Sequence, residues 1–396
     1  MSTSDFVNQA ERLLVPVYGR TQAAFVRGHG AWLEDADGRR VLDFFSSILC
    51  TNLGHCHPAV TAAVQRQIAT LVHVSNLHYS APQLELAEIL VANSFADRVF
   101  LCNSGAEANE AAIKLARRYG HASGGRFEIL TMLGSFHGRT MATIAATGQE
   151  KVRKGFEPTL PGFRYVPFGD VAAIEAALKP ETVAVLVEPV QGEGGVVVPP
   201  AGYLAALREL CDRHDLLLML DEVQTGCGRT GTLFAYQQMN VVPDVMTLAK
   251  SLGNGLPVGA MLATERAAIS LDLGAHGSTF GGNCVTNAAA VATLGVLLAP
   301  ETLPRARVAA ARLRNGLERL AAQLPETIET VRGMGLLLGL ELRDGERART
   351  VAARALDAGL LLNVTAERVL RIAPPLVVTD EEIDLSLAIL KGALPS

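Results

Sequence analysis

Five consecutive apolar residues, Leu216-Leu217-Leu218-Met219-Leu220, run straight into Asp221-Glu222 with no polar position at a helical or alternating period. Such a run predicts a strand buried on both faces of a sheet. Two more runs have the same form. Val183-Ala184-Val185-Leu186-Val187 ends in Glu188-Pro189, and Asp244-Val245-Met246-Thr247-Leu248-Ala249 ends in Lys250. In open α/β sheets ligands sit in the crevice beyond the carboxyl ends of the strands. Glu188, Asp221 and Lys250 are therefore expected at one sheet edge, either as a structural ion pair at the rim or as part of a ligand site.

The rest of the pattern supplies the frame. Apolar spacing predicts helices over 5–14, 58–72 and 83–91, the second opening on Pro58. Asp37-Gly38 predicts a hairpin between 31–33 and 41–44. From about residue 98 strands and helices alternate as a parallel sheet requires, with strands at 99–102, 127–132 and 259–263 and helices at 103–119 and 203–213. Beyond Pro300 a long helix is expected over 303–324, then strands within 331–342 and 369–373 and a closing helix over 381–390. The fold class is α/β. Residues 46–298 are expected to form a large domain on a mostly parallel sheet, and 1–45 to join 299–396 in a smaller α+β domain.

Composition narrows the partners. Over 396 residues the net charge is −5, and no basic cluster is present, which argues against nucleic acid or an anionic membrane. The longest uncharged stretch, 273–300, has an apolar part too short to span a bilayer, so no membrane segment is expected. Residues 1–9 carry neither the positive nor the apolar region of a secretory leader. Six cysteines without a CxxC read as reduced thiols of a cytoplasmic protein. In His55-Cys56-His57 adjacent side chains converge poorly on one ion, and no metal site is expected.

Three segments offer chemistry. Ser104-Gly105-Ala106, between a strand and a helix, is either an anion cradle or an ordinary capped turn. Phe136-His137-Gly138-Arg139-Thr140 places an aromatic and an arginine after a strand, for ring stacking and carboxylate clamping or as a core Phe and a solvated Arg. Gly226-Cys227-Gly228-Arg229-Thr230-Gly231 matches G-x-G-x-x-G and raises a nicotinamide-dependent oxidoreductase as an alternative. However, five residues separate it from its strand. Together the parts suit a phosphorylated aromatic aldehyde, with phosphate at Gly105-Ala106, ring against Phe136, ring nitrogen at Asp221 and Lys250 forming the imine. An adjacent carboxylate keeps such a nitrogen protonated, which makes the ring an electron sink.

The ordered motifs Leu53-Gly54-His55-Cys56-His57-Pro58, Asn103-Ser104-Gly105-Ala106-Glu107-Ala108, Phe136-His137-Gly138-Arg139-Thr140, Glu188-Pro189-Val190-Gln191-Gly192-Glu193-Gly194-Gly195, Asp221-Glu222-Val223-Gln224-Thr225-Gly226, Leu248-Ala249-Lys250, Gly277-Ser278-Thr279-Phe280-Gly281-Gly282-Asn283 and Arg371-Ile372-Ala373-Pro374-Pro375-Leu376 carry a resemblance. The chain resembles the class III pyridoxal-phosphate aminotransferases of the acetylornithine and ornithine type, of the fold known as type I. The resemblance implies that Lys250 is the Schiff-base lysine and proton shuttle, that Asp221 faces the pyridine nitrogen, and that Gln224 lies near the ring hydroxyl. Phe136 and Val223 would sandwich the ring, with His137 beside it. Ser104, Gly105 and Ala106 would hold the phosphate, with Thr279 reaching in from the other subunit of a homodimer with shared sites. Arg139 would clamp the substrate α-carboxylate near Ser278, and Glu193 would mask Arg371 until a keto acid arrives.

The implied reaction is ping-pong. The terminal amino group of N-acetylornithine or a close relative (ornithine, succinylornithine, a 4-aminobutyrate-type amine) passes to 2-oxoglutarate, as in arginine metabolism. The gate pair favours this over a racemase or decarboxylase, which needs no gate. Ser46-Ser47-Ile48-Leu49-Cys50-Thr51 and Cys284-Val285-Thr286 depart from the family's usual residues and are expected to line the substrate mouth.

Overall fold

The computed structural model describes residues 1–395. Its centre is a seven-stranded sheet in the order Arg98–Cys102, Gly259–Ala263, Val245–Leu248, Leu217–Asp221, Thr182–Val187, Glu128–Met132, Phe163–Val166. The last five are mutually parallel, while Gly259–Ala263 runs antiparallel to both its neighbours. Every residue of Thr182–Val187, Leu217–Asp221 and Val245–Leu248 is buried, which is why these runs show no alternation. The expected mostly parallel sheet is present. Phe163–Val166 is a strand the pattern did not reveal, being short and half-buried.

The helix after the first strand, Gly105–Ala122, presents Ala108, Ala111, Ala112, Leu115 and Ala116 to the interior. Small residues let its axis approach the sheet, and the Ser104 hydroxyl caps it by accepting the N–H of Glu107 at 3.2 Å. The helix Tyr203–Arg213 coincides with its predicted span. Cys284–Leu297 was not foreseen as a helix. It is apolar nearly all round and buried, so no face stands out in its sequence. Among the described residues no single helix is long and apolar enough to cross a membrane. Cys284–Leu297 and Thr302–Gln323 meet that criterion only together, bent by 72° at their junction.

Two four-stranded sheets complete the structure. One joins the hairpin Trp32–Asp35/Arg40–Asp43 to Phe25–His29 and to Leu360–Leu361 from the far end of the chain, with Leu42 opposite Leu360. The other pairs Ile328–Met334, Leu337–Leu342, Val369–Ile372 and Asn363–Thr365, all antiparallel. The glycine string at 226–231 lies in the packing between these layers. Arg229, fully buried, donates to the carbonyls of Leu336 and Pro374 and to Asn52 Oδ1. Burial pushes its guanidinium down to about 9. A Cβ at Gly228 would meet Leu376 at 2.7 Å, and the next helix, Ala235–Gln238, has four residues. The string is an interior tie, which removes the dinucleotide alternative.

One close approach positions the site loop. Gly148 donates to Ser135 Oγ at 3.0 Å and accepts from Gly134 N at 2.9 Å, and a Cβ there would fall on the Met132 carbonyl oxygen. Gly148→Ala is expected to cost about 1–3 kcal/mol, as overpacking does. The check is the urea midpoint; an unchanged midpoint contradicts the close approach.

Candidate functional site

A cavity of about 430 Å³ opens beyond the carboxyl ends of the parallel strands, and Glu188, Asp221 and Lys250 all line it. They do not form a rim ion pair: among the described residues Lys250 has no carboxylate partner within 4 Å, whereas Glu193 is bound to Arg371. The charged groups are separated by open space of ligand size.

Asp221 is held rigidly. Its Oδ2 accepts from Asn109 Nδ2 and pairs with His137 Nδ1, both at 2.8 Å, and its Oδ1 accepts the Val223 N–H at 3.0 Å. Asn109 is fixed in turn, donating to the His137 carbonyl and accepting from Thr247 Oγ1, each at 2.8 Å. Burial alone would raise the Asp221 carboxyl. The hydrogen bond and charge of His137, with the Val223 and Asn109 donors, outweigh it and keep the group ionised. Glu188 shows the opposite balance. Burial and the Asp221 charge push it up to about 7 against donors from Phe136 N and Gly192 N. By accepting from these two backbone amides it ties the Phe136 loop to the Gly192 loop.

Lys250 begins a short 3₁₀ turn with φ +33°, an uncommon conformation for a side-chain-bearing residue. Burial lowers its ammonium below the usual lysine range and Arg371 adds to this, while Glu193, Asp221 and Cys50 pull the other way. A neutral amine is thereby made more available as a nucleophile.

Ser104, Gly105 and Ala106 line the cavity at the N-terminus of the eighteen-residue helix Gly105–Ala122. A Cβ at Gly105 would lie 2.8 Å from Val223 Cγ1, so glycine is needed where the turn meets Val223. Phe136 lines the same space, with the Arg139 guanidinium 5.6 Å from its ring centre. Arg139 is exposed at the mouth. Arg371 is 1% exposed. It donates to Glu193 Oε1 at 2.5 Å, to Gln224 Oε1 at 3.1 Å and to Asn363 Oδ1 at 2.8 Å. Gln224 also donates to Glu193 Oε1 at 3.2 Å, so it completes the masking of Arg371 as well as lining the cavity.

Other expected residues stand elsewhere. Thr279 is exposed and does not line this chain's cavity. Ser278 does not line it either; its hydroxyl accepts from Asn103 Nδ2 at 3.2 Å and from Gly281 N at 2.9 Å. Of the two atypical segments, Cys284-Val285-Thr286 is corrected. Cys284 and Val285 are buried at a helix start capped by Asn283, away from the mouth. The other segment does reach the site through Cys50. Ser46, Ser47, Ile48 and Leu49 all take left-handed φ, from +46° to +61°. Ser46 Oγ donating to the Ala373 carbonyl at 2.6 Å and Ser251 Oγ donating to that of Leu49 hold this turn. His55 Nε2 pairs with Asp43 Oδ2 at 2.8 Å, while Cys56 is exposed and His57 precedes a helix. Asn109 and Thr247 were missed in the sequence. An Asn amid the apolar face Ala108, Ala111, Ala112 was the available signal, since a buried amide needs partners.

A glycine cradle at a helix start, a flanking aromatic, a buried ionised carboxylate and an unpaired lysine around one cavity fit a phosphorylated pyridine aldehyde. Residues 16–394 match the family Aminotransferase class-III, and the chain belongs to it. The family is pyridoxal-phosphate-dependent, and the chain is an aminotransferase. The chain is 50% identical over 389 residues to the acetylornithine aminotransferase of Gloeobacter violaceus, covering 98% of this chain and 97% of that one. It is 40% identical, with a TM-score of 0.84 and 98% of each chain covered, to the N-acetylornithine aminotransferase of Stenotrophomonas maltophilia. An ornithine aminotransferase from Toxoplasma gondii, whose structure has partial occupancy of PLP at the active site, is 34% identical. Its TM-score is 0.94, with 98% of this chain and 94% of that one covered.

Proposed function

We propose that the chain moves the terminal amino group of N-acetylornithine, or of a close relative such as ornithine, succinylornithine or a 4-aminobutyrate-type amine, to 2-oxoglutarate. The products are the semialdehyde and glutamate, formed in two alternating half-reactions. The observation that carries this reading is a pair of arginines in different states, Arg139 exposed on the cavity wall and Arg371 buried behind it, held by Glu193 and by the cavity-lining Gln224. Two substrates that differ by one carboxylate need two anion readers, one of which is silent for the first substrate. The acetylornithine aminotransferases among its relatives support the donor.

Bound pyridoxal phosphate supplies the electron sink for the carbanion formed at the substrate carbon. The residues do the rest. The Ser104-Gly105-Ala106 turn would anchor the phosphate, Phe136 and Val223 would hold the ring plane, and Asp221, braced by His137 and Asn109, would keep the ring nitrogen protonated. Lys250 Nζ would take the proton from the substrate carbon and return it. Arg139 would bind the donor α-carboxylate. Glu193 would swing from Arg371 when the acceptor's second carboxylate competes for it. We further propose a homodimer in which exposed Thr279 completes the neighbouring site, and a division of the chain near 45 and 298.

The test mixes holoenzyme with N-acetylornithine, ornithine, succinylornithine, 4-aminobutyrate and lysine in turn, following the visible cofactor band. Rapid loss with N-acetylornithine or with ornithine, succinylornithine or 4-aminobutyrate supports the reading, and loss with lysine alone, or with none of the five, contradicts it. In Glu193→Ala, Arg371 is permanently unmasked. The donor half-reaction is expected to slow by about tenfold, equivalent to ~1.4 kcal/mol, while the 2-oxoglutarate half changes little. Equal changes in both halves, measured by single-turnover kinetics, contradict the gate.

A further inference from the structure

Past Phe136 and Arg139 the cavity continues into an outer chamber of about 350 Å³, and these two residues line both spaces. The outer walls come from distant parts of the chain. Lys151 stands on the short helix Glu150–Arg153, Arg349 on the helix Gly345–Asp357, and Thr365, Ala366 and Glu367 form a hairpin tip. That tip is a built feature. Ala366 and Glu367 take left-handed φ of +45° and +66°, and Thr365 Oγ1 donates to the Glu193 carbonyl at 2.6 Å.

The charges do not balance. Arg139, Lys151 and Arg349 all line the chamber, and none has a carboxylate within 4 Å among the described residues. Glu193 is taken by Arg371, which leaves Glu367 as the one lining acid without an ion pair. The Gln149 amide is occupied by the carbonyls of Gly134 at 3.3 Å and Ser135 at 3.1 Å. Whatever enters therefore meets cations before it meets a free amide.

Resting on the donor reading above, the geometry fixes which part of a donor arrives there. With the reacting amine at Lys250 and the α-carboxylate on Arg139, which lines both spaces, a group carried on the α-nitrogen would lie at the opening to the outer chamber. An acetyl cap would leave Lys151 and Arg349 without a partner; a cap ending in a carboxylate supplies one. We propose that Lys151 and Arg349 form a second carboxylate subsite, which reads the free carboxylate of a dicarboxylic N-acyl group on the amine donor. Because Lys151 and Arg349 belong to different parts of the chain, such a donor would also tie the hairpin side of the chamber to the side bearing Arg139.

The test uses two non-reacting ligands, N-succinyl-L-norvaline and N-acetyl-L-norvaline, which lack the terminal amine. Their binding to the holoenzyme is measured by calorimetry. Two partly solvated charge pairs predict a succinyl preference of about tenfold, weakened by salt because exposed charges are screened. In the Lys151→Gln/Arg349→Gln double variant, the ratio of the two affinities is expected to fall to about one. Retention of the visible cofactor band shows that this variant, changed only at exposed positions, is folded. Equal binding of both ligands to the wild type, or a preference that survives in the double variant, overturns the subsite and leaves the donor reading standing. Failure of both ligands to bind the wild type overturns the donor reading and the subsite with it.

Discussion

Lys250→Ala is expected to yield a folded protein whose turnover falls by on the order of 10⁴-fold, the upper end of what one positioned acid–base side chain contributes. The size follows from two roles meeting in one atom. Nζ is the only amine lining the cavity among the described residues, and it has no carboxylate partner to tie it down. Burial disfavours its ammonium form, so the neutral amine is more available near neutral pH than on an exposed lysine. Stability should change little, since the side chain makes no hydrogen bond that its removal would orphan. The checks are turnover and the urea midpoint measured on the same preparation. Activity within tenfold of the wild type contradicts the assignment.

Asp221→Asn is expected to fold and to lose on the order of 10²–10³-fold in turnover, the scale seen when one preorganised electrostatic group is removed. The amide keeps the shape but not the charge. Asp221→Ala should in addition destabilise by about 1–3 kcal/mol, because His137 Nδ1 would be left buried without its partner and Asn109 Nδ2 would keep only the His137 carbonyl. The pH signature has a definite sign. The folded carboxyl titrates below its unfolded value, so its contribution is present above roughly pH 4 and is lost as pH falls through the folded value. Acid unfolding curves of Asp221→Asn should therefore be flatter below about pH 4 than those of the wild type. Parallel curves, or near-normal turnover, would remove Asp221 from the centre of the account.

Much of this site was legible in the sequence for a simple reason. Buried parallel strands read as unbroken apolar runs, so the first charged residue after each run marks the sheet edge where a ligand sits. Glu188, Asp221 and Lys250 were found in that way, and all three line one cavity. The motif resemblance then supplied roles for Arg139, Glu193 and Arg371 that spacing alone could not. What stayed hidden depends on contacts between residues far apart in the chain. Asn109 and Thr247, 138 positions apart, brace Asp221, yet nothing local to either announces the other. The Gln224 bridge to Arg371 spans 147 positions. The antiparallel direction of Gly259–Ala263 is set by its pairing on both sides, and a five-residue apolar run carries no direction. Cys284-Val285-Thr286 was misplaced because an unusual sequence was read as a mouth when it begins a buried helix. Ser278 lies one hydrogen bond behind the cavity wall: its hydroxyl accepts from Gly281 N and from Asn103 Nδ2, and Asn103 lines the cavity.

The central claim is that Lys250 is where the chain holds its cofactor. Purified protein would be reduced with borohydride, digested and mapped by mass spectrometry. A phosphopyridoxyl group is expected on the peptide containing Lys250, absent when the protein is first treated with a reacting amine donor. The group on another lysine, or on none, would contradict it.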